Sequence, residues 1–122
     1  MTLDISFYGK NGEPQEIVEV SEPFYEWLAR SEFSEIGASR ETCINIDDEE
    51  SLLKLVDLNK GNRQRFKDFL LEAIQQESEA MLEKLGDSPS KEEYQSESYP
   101  LRKLQEIIKV ITNTQYQYLE RY

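Results

Sequence analysis

Leu3, Ile5 and Phe7 alternate with Asp4 and Ser6, the two-residue period of a strand that buries one face. Gly9, Asn11 and Gly12 then mark a turn, and Ile17, Val18 and Val20 form a second β-branched run. Residues 2–8 and 15–20 are expected to pair as a β-hairpin with a longer loop. Pro14 stands just ahead of the second strand, where it removes no ladder bond.

The period then changes. Ser21 is a suitable N-cap and Pro23 fits a first helical turn. Phe24, Trp27 and Leu28 fall at helical spacing, which predicts a short helix over residues 22–30. Residues 31–40 read as irregular, with Gly37 as a stop, and Ile44 and Ile46 around Asn45 suggest a short strand over 42–46. Asp47 or Asp48 is expected to cap a second helix. Glu49 and Glu50 would sit in its first turn, where the helix dipole favours negative charge, and Leu52, Leu53, Leu55 and Val56 would turn inward. Asn59, Gly61 and Asn62 interrupt that helix.

The strongest pattern is the stripe of Phe66, Phe69, Leu70, Ala73, Ile74, Met81, Leu82 and Leu85, which predicts a helix over 63–85 with Gly86 at its stop. Residues 87–98 are polar and read as a long loop with at most one helical turn. Pro100 is expected to open a last helix, with Leu101, Leu104, Ile107, Ile108, Ile111, Gln115 and Tyr118 on one face. The fold class that follows is α+β and mostly helical. An N-terminal β-hairpin or small antiparallel sheet (residues 1–20) packs on about four helices (21–122) in a single domain. The hairpin is marginal by itself and depends on that packing.

Composition narrows the function. The chain has 122 residues, enough for one domain with one core. It has no histidine, which removes the commonest general base and zinc ligand; carboxylate- or lysine-based catalysis stays open. None of the many carboxylate pairs stands out, no Gly-rich phosphate loop is present, and residues 47–50 lack the spacing of a calcium loop. A binding protein without cofactor or metal is therefore expected rather than an enzyme. The lone cysteine, Cys43, forms no intrachain disulfide and reads as a small buried hydrophobe. With no basic-then-apolar leader and no long apolar run, a cytoplasmic location is expected and no membrane contact.

Charge adds a direction. The net charge is −11, and the first 50 residues, with 13 acids and three bases, carry −10 of it. Such a field repels nucleic-acid phosphates and steers a basic protein partner. Glu32, Glu35, Asp47, Asp48, Glu49 and Glu50 are the expected contacts, with Tyr25 or Trp27 as aromatic anchor. The plainer alternatives are solubility for the acids and a place in the core for Phe24, Tyr25 and Trp27. Of these three, Tyr25 lies off the Phe24/Leu28 face and is the one expected to be exposed. Lys60, Arg63, Arg65 and Lys67 form a basic segment without a common helical face, expected to be solvated and to pair with acids elsewhere. Tyr116, Tyr118 and Tyr122 are expected at a helix end, which also offers a face for a homo-oligomer.

A compact acidic chain of this length, opening on Leu-Asp-Ile-Ser-Phe-Tyr and lacking histidine and catalytic motifs, resembles the immunity proteins of polymorphic toxins, including those of contact-dependent growth inhibition. The resemblance implies a cytoplasmic inhibitor that binds a toxin domain, often a basic nuclease, and covers its active site. It implies no particular site residues. The alternative reading is an acidic regulatory or adaptor protein, of the phage-encoded, nucleic-acid-mimicking kind, that binds a basic host protein. A small carboxylate enzyme is a third reading, and it would need a pocket of convergent acids.

Overall fold

The computed structural model describes residues 2–85 and 90–121. β1 (Thr2–Gly9) and β2 (Gln15–Ser21) form the expected hairpin, and α1 (Glu22–Arg30) follows directly. Ser21 caps α1, accepting from the Phe24 N–H at 3.4 Å, and Pro23 occupies the first turn. A 3₁₀ turn (Glu32–Ser34), β3 (Ser39–Ile46), β4 (Glu49–Asp57), α2 (Lys60–Leu85), α3 (Lys91–Thr112) and β5 (Tyr116–Glu120) complete the chain. The class is α+β, but the described residues form a five-stranded antiparallel sheet and three α-helices rather than a small sheet and about four.

Residues 47–57 depart most from expectation. Asp47 and Asp48 have φ of 52° and 66°, the left-handed region, and Ile46 pairs with Glu49. Two consecutive positive φ values make the tight turn that matches strand twist, and aspartate tolerates that region better than most residues. Asp47 and Asp48 therefore close a β-hairpin and do not cap a helix. β3 also extends back to Ser39, taking in residues that read as irregular.

The chain end differs too. Asn113 closes α3, its N–H bonding the Val110 carbonyl at 3.0 Å, and the expected helical tail becomes β5. This strand enters the middle of the sheet, whose order is β2-β1-β5-β4-β3. α3 begins well before Pro100. Ser90 caps it, accepting from the Glu93 N–H at 3.1 Å, so residues 91–98 are helical and Pro100 lies inside the helix. The expected stop at Gly86, residues 87–89 of the expected loop, and Tyr122 lie outside the described residues.

The helices cover one face of the sheet. Ile5, Phe7, Val18, Val20, Val56 and Leu119 meet Leu28, Phe33, Phe66, Leu70, Leu104, Ile107 and Ile111 there. Each such side chain contributes about 1.5–3 kcal/mol on full burial. The other face holds a smaller cluster of Tyr8, Ile44 and Leu55, flanked by Ile46, Leu53 and Tyr118. β4 pairs with β5 only at Val56 and Asp57, and Ile44, Leu53 and Leu55 of the rest of the β3–β4 hairpin pack with Tyr8 and Tyr118 on this second face. Its tip reaches the β1–β2 loop. The Asn45 carbonyl oxygen lies 1.8 Å from where a Cβ on Gly12 would stand, and Gly12 has φ of 90°. Both facts require glycine there. Cys43 is exposed, not buried, because strand alternation sends Ile44 inward and Cys43 outward, beside exposed Leu52.

Two arginines, Arg63 and Arg121, tie distant segments together through backbone carbonyls. Arg121, buried at the end of β5, donates to the Phe33 carbonyl at 2.5 Å and the Gly37 carbonyl at 3.0 Å, and stands over the Phe66 ring. Arg63 donates to the carbonyls of Ile111 (2.5 Å), Asn113 (3.4 Å), Leu58 (3.0 Å) and Tyr116 (2.7 Å). Burial lowers its pKa, which nearby Asp57 opposes. Arg63 is thus a clamp on the exposed acceptors of the α3 C-terminus rather than a member of a solvated basic patch.

Tyr8 gives the fold a pH dependence. Its hydroxyl donates to Glu120 Oε1 at 3.2 Å, and burial first, then the Glu120 charge, raise its pKa above the usual 10.0. The unfolded chain therefore releases this proton first, so stability is full below about pH 10 and falls as pH climbs toward the folded pKa. Tyr8→Phe is expected to remove that part of the alkaline loss, read as the change in urea midpoint from neutral to strongly alkaline pH.

Candidate functional site

The core ends partway along α2 and α3. Phe66, Leu70 and Ala73 are buried in α2, but no side chain from Ile74 to Lys84 is; in α3 burial begins at Ser98. The intervening stretches therefore project beyond the sheet as a helical pair, linked by Lys84 and Glu97 at 3.5 Å. Leu82 is 70% exposed on this projection and Tyr94 53%. Its described charges are Glu77, Glu79, Glu83, Glu92, Glu93 and Glu97 against Lys84 and Lys91. The near-neutral total of the second half of the chain thus conceals an acidic distal end.

Between this projection and α1 lies an open groove of about 760 Å³, within the usual size of ligand sites. Pro23, Phe24 and Trp27 of α1, Tyr99 and Pro100 of α3, and the carboxylates Glu77 and Glu92 line most of it. Among the described residues, no lysine or arginine lines it. The aromatic wall is held together by ring contacts. Phe24 meets Trp27 at 5.7 Å and Tyr99 edge-on at 6.1 Å, and Trp27 leans on Phe69 at 6.2 Å. The Tyr99 hydroxyl accepts from the Ser21 N–H at 2.8 Å, which holds α3 against the start of α1. Arg102 and Lys103 stand over the Tyr99 ring at 5.9 and 5.8 Å but stay outside the groove lining.

Pro100 adds a polar feature. It has no N–H, so the Ser96 carbonyl, four residues earlier, lacks its helical donor. Both residues line the groove. Its lining therefore combines the acidic Glu77 and Glu92 and the neutral polar Ser21, Gln95 and Ser96 with an apolar, aromatic wall. Such a surface suits an apolar segment that carries a hydrogen-bond-donating cation.

The eight residues expected at a partner interface fall into two groups. Trp27 is in the groove and 40% exposed, so it is both packed and presented. Tyr25, expected to be the exposed aromatic, is half-buried against the core, so the two exchange roles. Glu32 and Glu35 border a smaller cleft of about 430 Å³ with Arg65, Asp68, Phe69 and Glu72. Phe69 also touches Trp27, so this cleft adjoins the groove. Asp47, Asp48, Glu49 and Glu50 sit at the β3–β4 tip, where Asp47 and Ile46 border the β1–β2 loop. That is the other side of the sheet, so the structure does not unite the expected acids on one face.

Glu77, Glu92 and Tyr99 were missed because the sequence places them in a balanced helix and an apparent loop. The signal that marks Glu92 and Tyr99 as helical is Ser90 followed by Glu92 and Glu93, an N-cap with acids in its first turn; Glu77 has no such signal. No group of histidine, cysteine or acidic residues suited to holding a metal occurs among the described residues, and no described helix is long and apolar enough to cross a membrane. In comparisons with known proteins, the chain matches no family model, no curated sequence and no solved structure.

Proposed function

We propose that this protein is a cytoplasmic binding protein of the immunity type, which captures a basic toxin domain, such as a nuclease, through an acidic surface. The observation that carries this reading is the groove between α1 and the projecting helices, walled by Phe24, Trp27 and Tyr99, edged by Glu77 and Glu92, and lined by no lysine or arginine among the described residues. The negative field of the chain supports it, since a −11 protein draws a cationic partner by long-range steering, at association rates up to about 10⁸–10⁹ M⁻¹s⁻¹ at low salt. In this reading the bound protein covers the toxin's active site, and the aromatic-centred contact excludes water from the interface.

The test is co-purification with the toxin domain encoded by the adjoining gene, followed by affinity measurement across salt concentrations. A stable complex that weakens with salt is expected, and Glu77→Lys with Glu92→Lys should weaken it by about tenfold or more, since a like-charge contact costs more than 1.4 kcal/mol. Charge reversal at Asp47–Glu50 probes the opposite side of the sheet and should change the association rate more than the dissociation rate. A toxin domain that stays unbound at low salt sinks the reading.

A further inference from the structure

Resting on that reading of the groove, we propose that its specific occupant is an amphipathic helix of the partner that inserts one arginine between Trp27 and the carboxylates of Glu77 and Glu92. The apolar wall of Pro23, Phe24, Trp27 and Tyr99 suits the face of a helix laid into a groove. Its charged side chains are the two carboxylates of Glu77 and Glu92, set among the neutral polar side chains of Ser21, Gln95 and Ser96. A guanidinium matches them better than an ammonium. Its planar fork offers five donors in fixed directions, and its flat face stacks on an indole. Trp27, packed on Phe24 and Phe69 yet 40% exposed, presents such a face in a fixed place.

Charge opposes docking of a second copy's projecting helices in this groove. The projecting helices have six described acids against two bases, and no described lysine or arginine lines the groove to meet them, so the two projections would repel here. A basic helix gains attraction along the whole projection.

Trp27 is the only tryptophan, so its fluorescence reports groove occupancy directly in the intact protein. The probe is a short amphipathic peptide with one central arginine, compared with twins carrying lysine, citrulline or leucine there. The arginine peptide is expected to shift Trp27 emission saturably and more weakly as salt rises. The citrulline twin, which keeps the shape and loses the charge, should bind about tenfold or more worse, the scale of one charge-assisted contact. Glu77→Gln with Glu92→Gln should abolish the difference between these two peptides, with an unchanged thermal melt showing that the fold persists.

Equal binding of the arginine, lysine and citrulline peptides overturns the proposal, and so does equal binding of arginine and lysine alone. If no peptide binds while the toxin domain still co-purifies, this inference fails and the inhibitor reading stands. If the arginine peptide binds and the toxin domain does not, the inhibitor reading fails and this inference stands.

Discussion

Phe66→Ala is expected to cost about 3–5 kcal/mol of folding stability, the usual range for deleting a fully buried aromatic ring. Phe66 has no exposed surface, and three parts of the fold meet on it. Phe33 of the 3₁₀ turn packs at 5.1 Å between ring centres, and the Arg121 guanidinium lies 5.8 Å from the Phe66 ring centre. Arg121 in turn holds the carbonyls of Phe33 and Gly37. Alanine would therefore open a cavity and also loosen the arginine that ties the segment after α1 to β5. Since small domains are stable by only about 5–15 kcal/mol, urea denaturation should show a variant near the limit of folding. Phe66→Leu, which restores most of the volume, should lose no more than about 1.5 kcal/mol. Similar losses for the two variants would show that the site collapses around either side chain and that the ring is not the meeting point described.

Arg63→Met is expected to cost on the order of 3 kcal/mol, because hydrogen bonds from a charged donor are worth about 1.5–3 kcal/mol each and several are lost together. Methionine keeps the aliphatic bulk and removes every donor. The carbonyls of Leu58, Ile111, Asn113 and Tyr116 would lose a shared partner, and with it the tie between the end of β4, the end of α3 and the start of β5. Some of these carbonyls reach water, which keeps the cost below the sum of four bonds. Native-state hydrogen exchange should show the loss as faster exchange along β5 and the last turn of α3. A cost under about 1 kcal/mol would mean that water replaces the guanidinium fully.

These clamps also show why a sequence reading of charge is incomplete. Arg63 sits among Lys60, Arg65 and Lys67 and looks like one member of a basic patch, yet it alone is taken up by the backbone. Nothing in local spacing distinguishes it, because three of its four partners lie about 50 residues away. The groove has the same character. Trp27 stood out as an aromatic anchor among acids, but Glu77, Glu92 and Tyr99 become its neighbours only when α2 and α3 pack beside α1. The even charge count over residues 51–122 arises because acids at the distal end of the helices offset bases nearer the sheet.

By itself, the sequence determined the first hairpin, the capped α1, the α2 stripe and a one-sided acidity, since each rests on interactions within a few residues: alternation, capping, helical spacing and charge. Only the tertiary structure decided the fate of residues 47–57 and 116–120. Leu52, Leu53, Leu55 and Val56 satisfy either a helical or a strand pattern, and pairing with β3 and β5 selects the strand. Tyr116 to Glu120 is too short to declare its period, and the vacancy between β1 and β4 makes it the central strand. The same packing sends Asp47–Glu50 to one side of the sheet and Trp27 to the other. Composition specifies how much charge a surface carries, but which charges share a face depends on contacts between residues far apart in the chain.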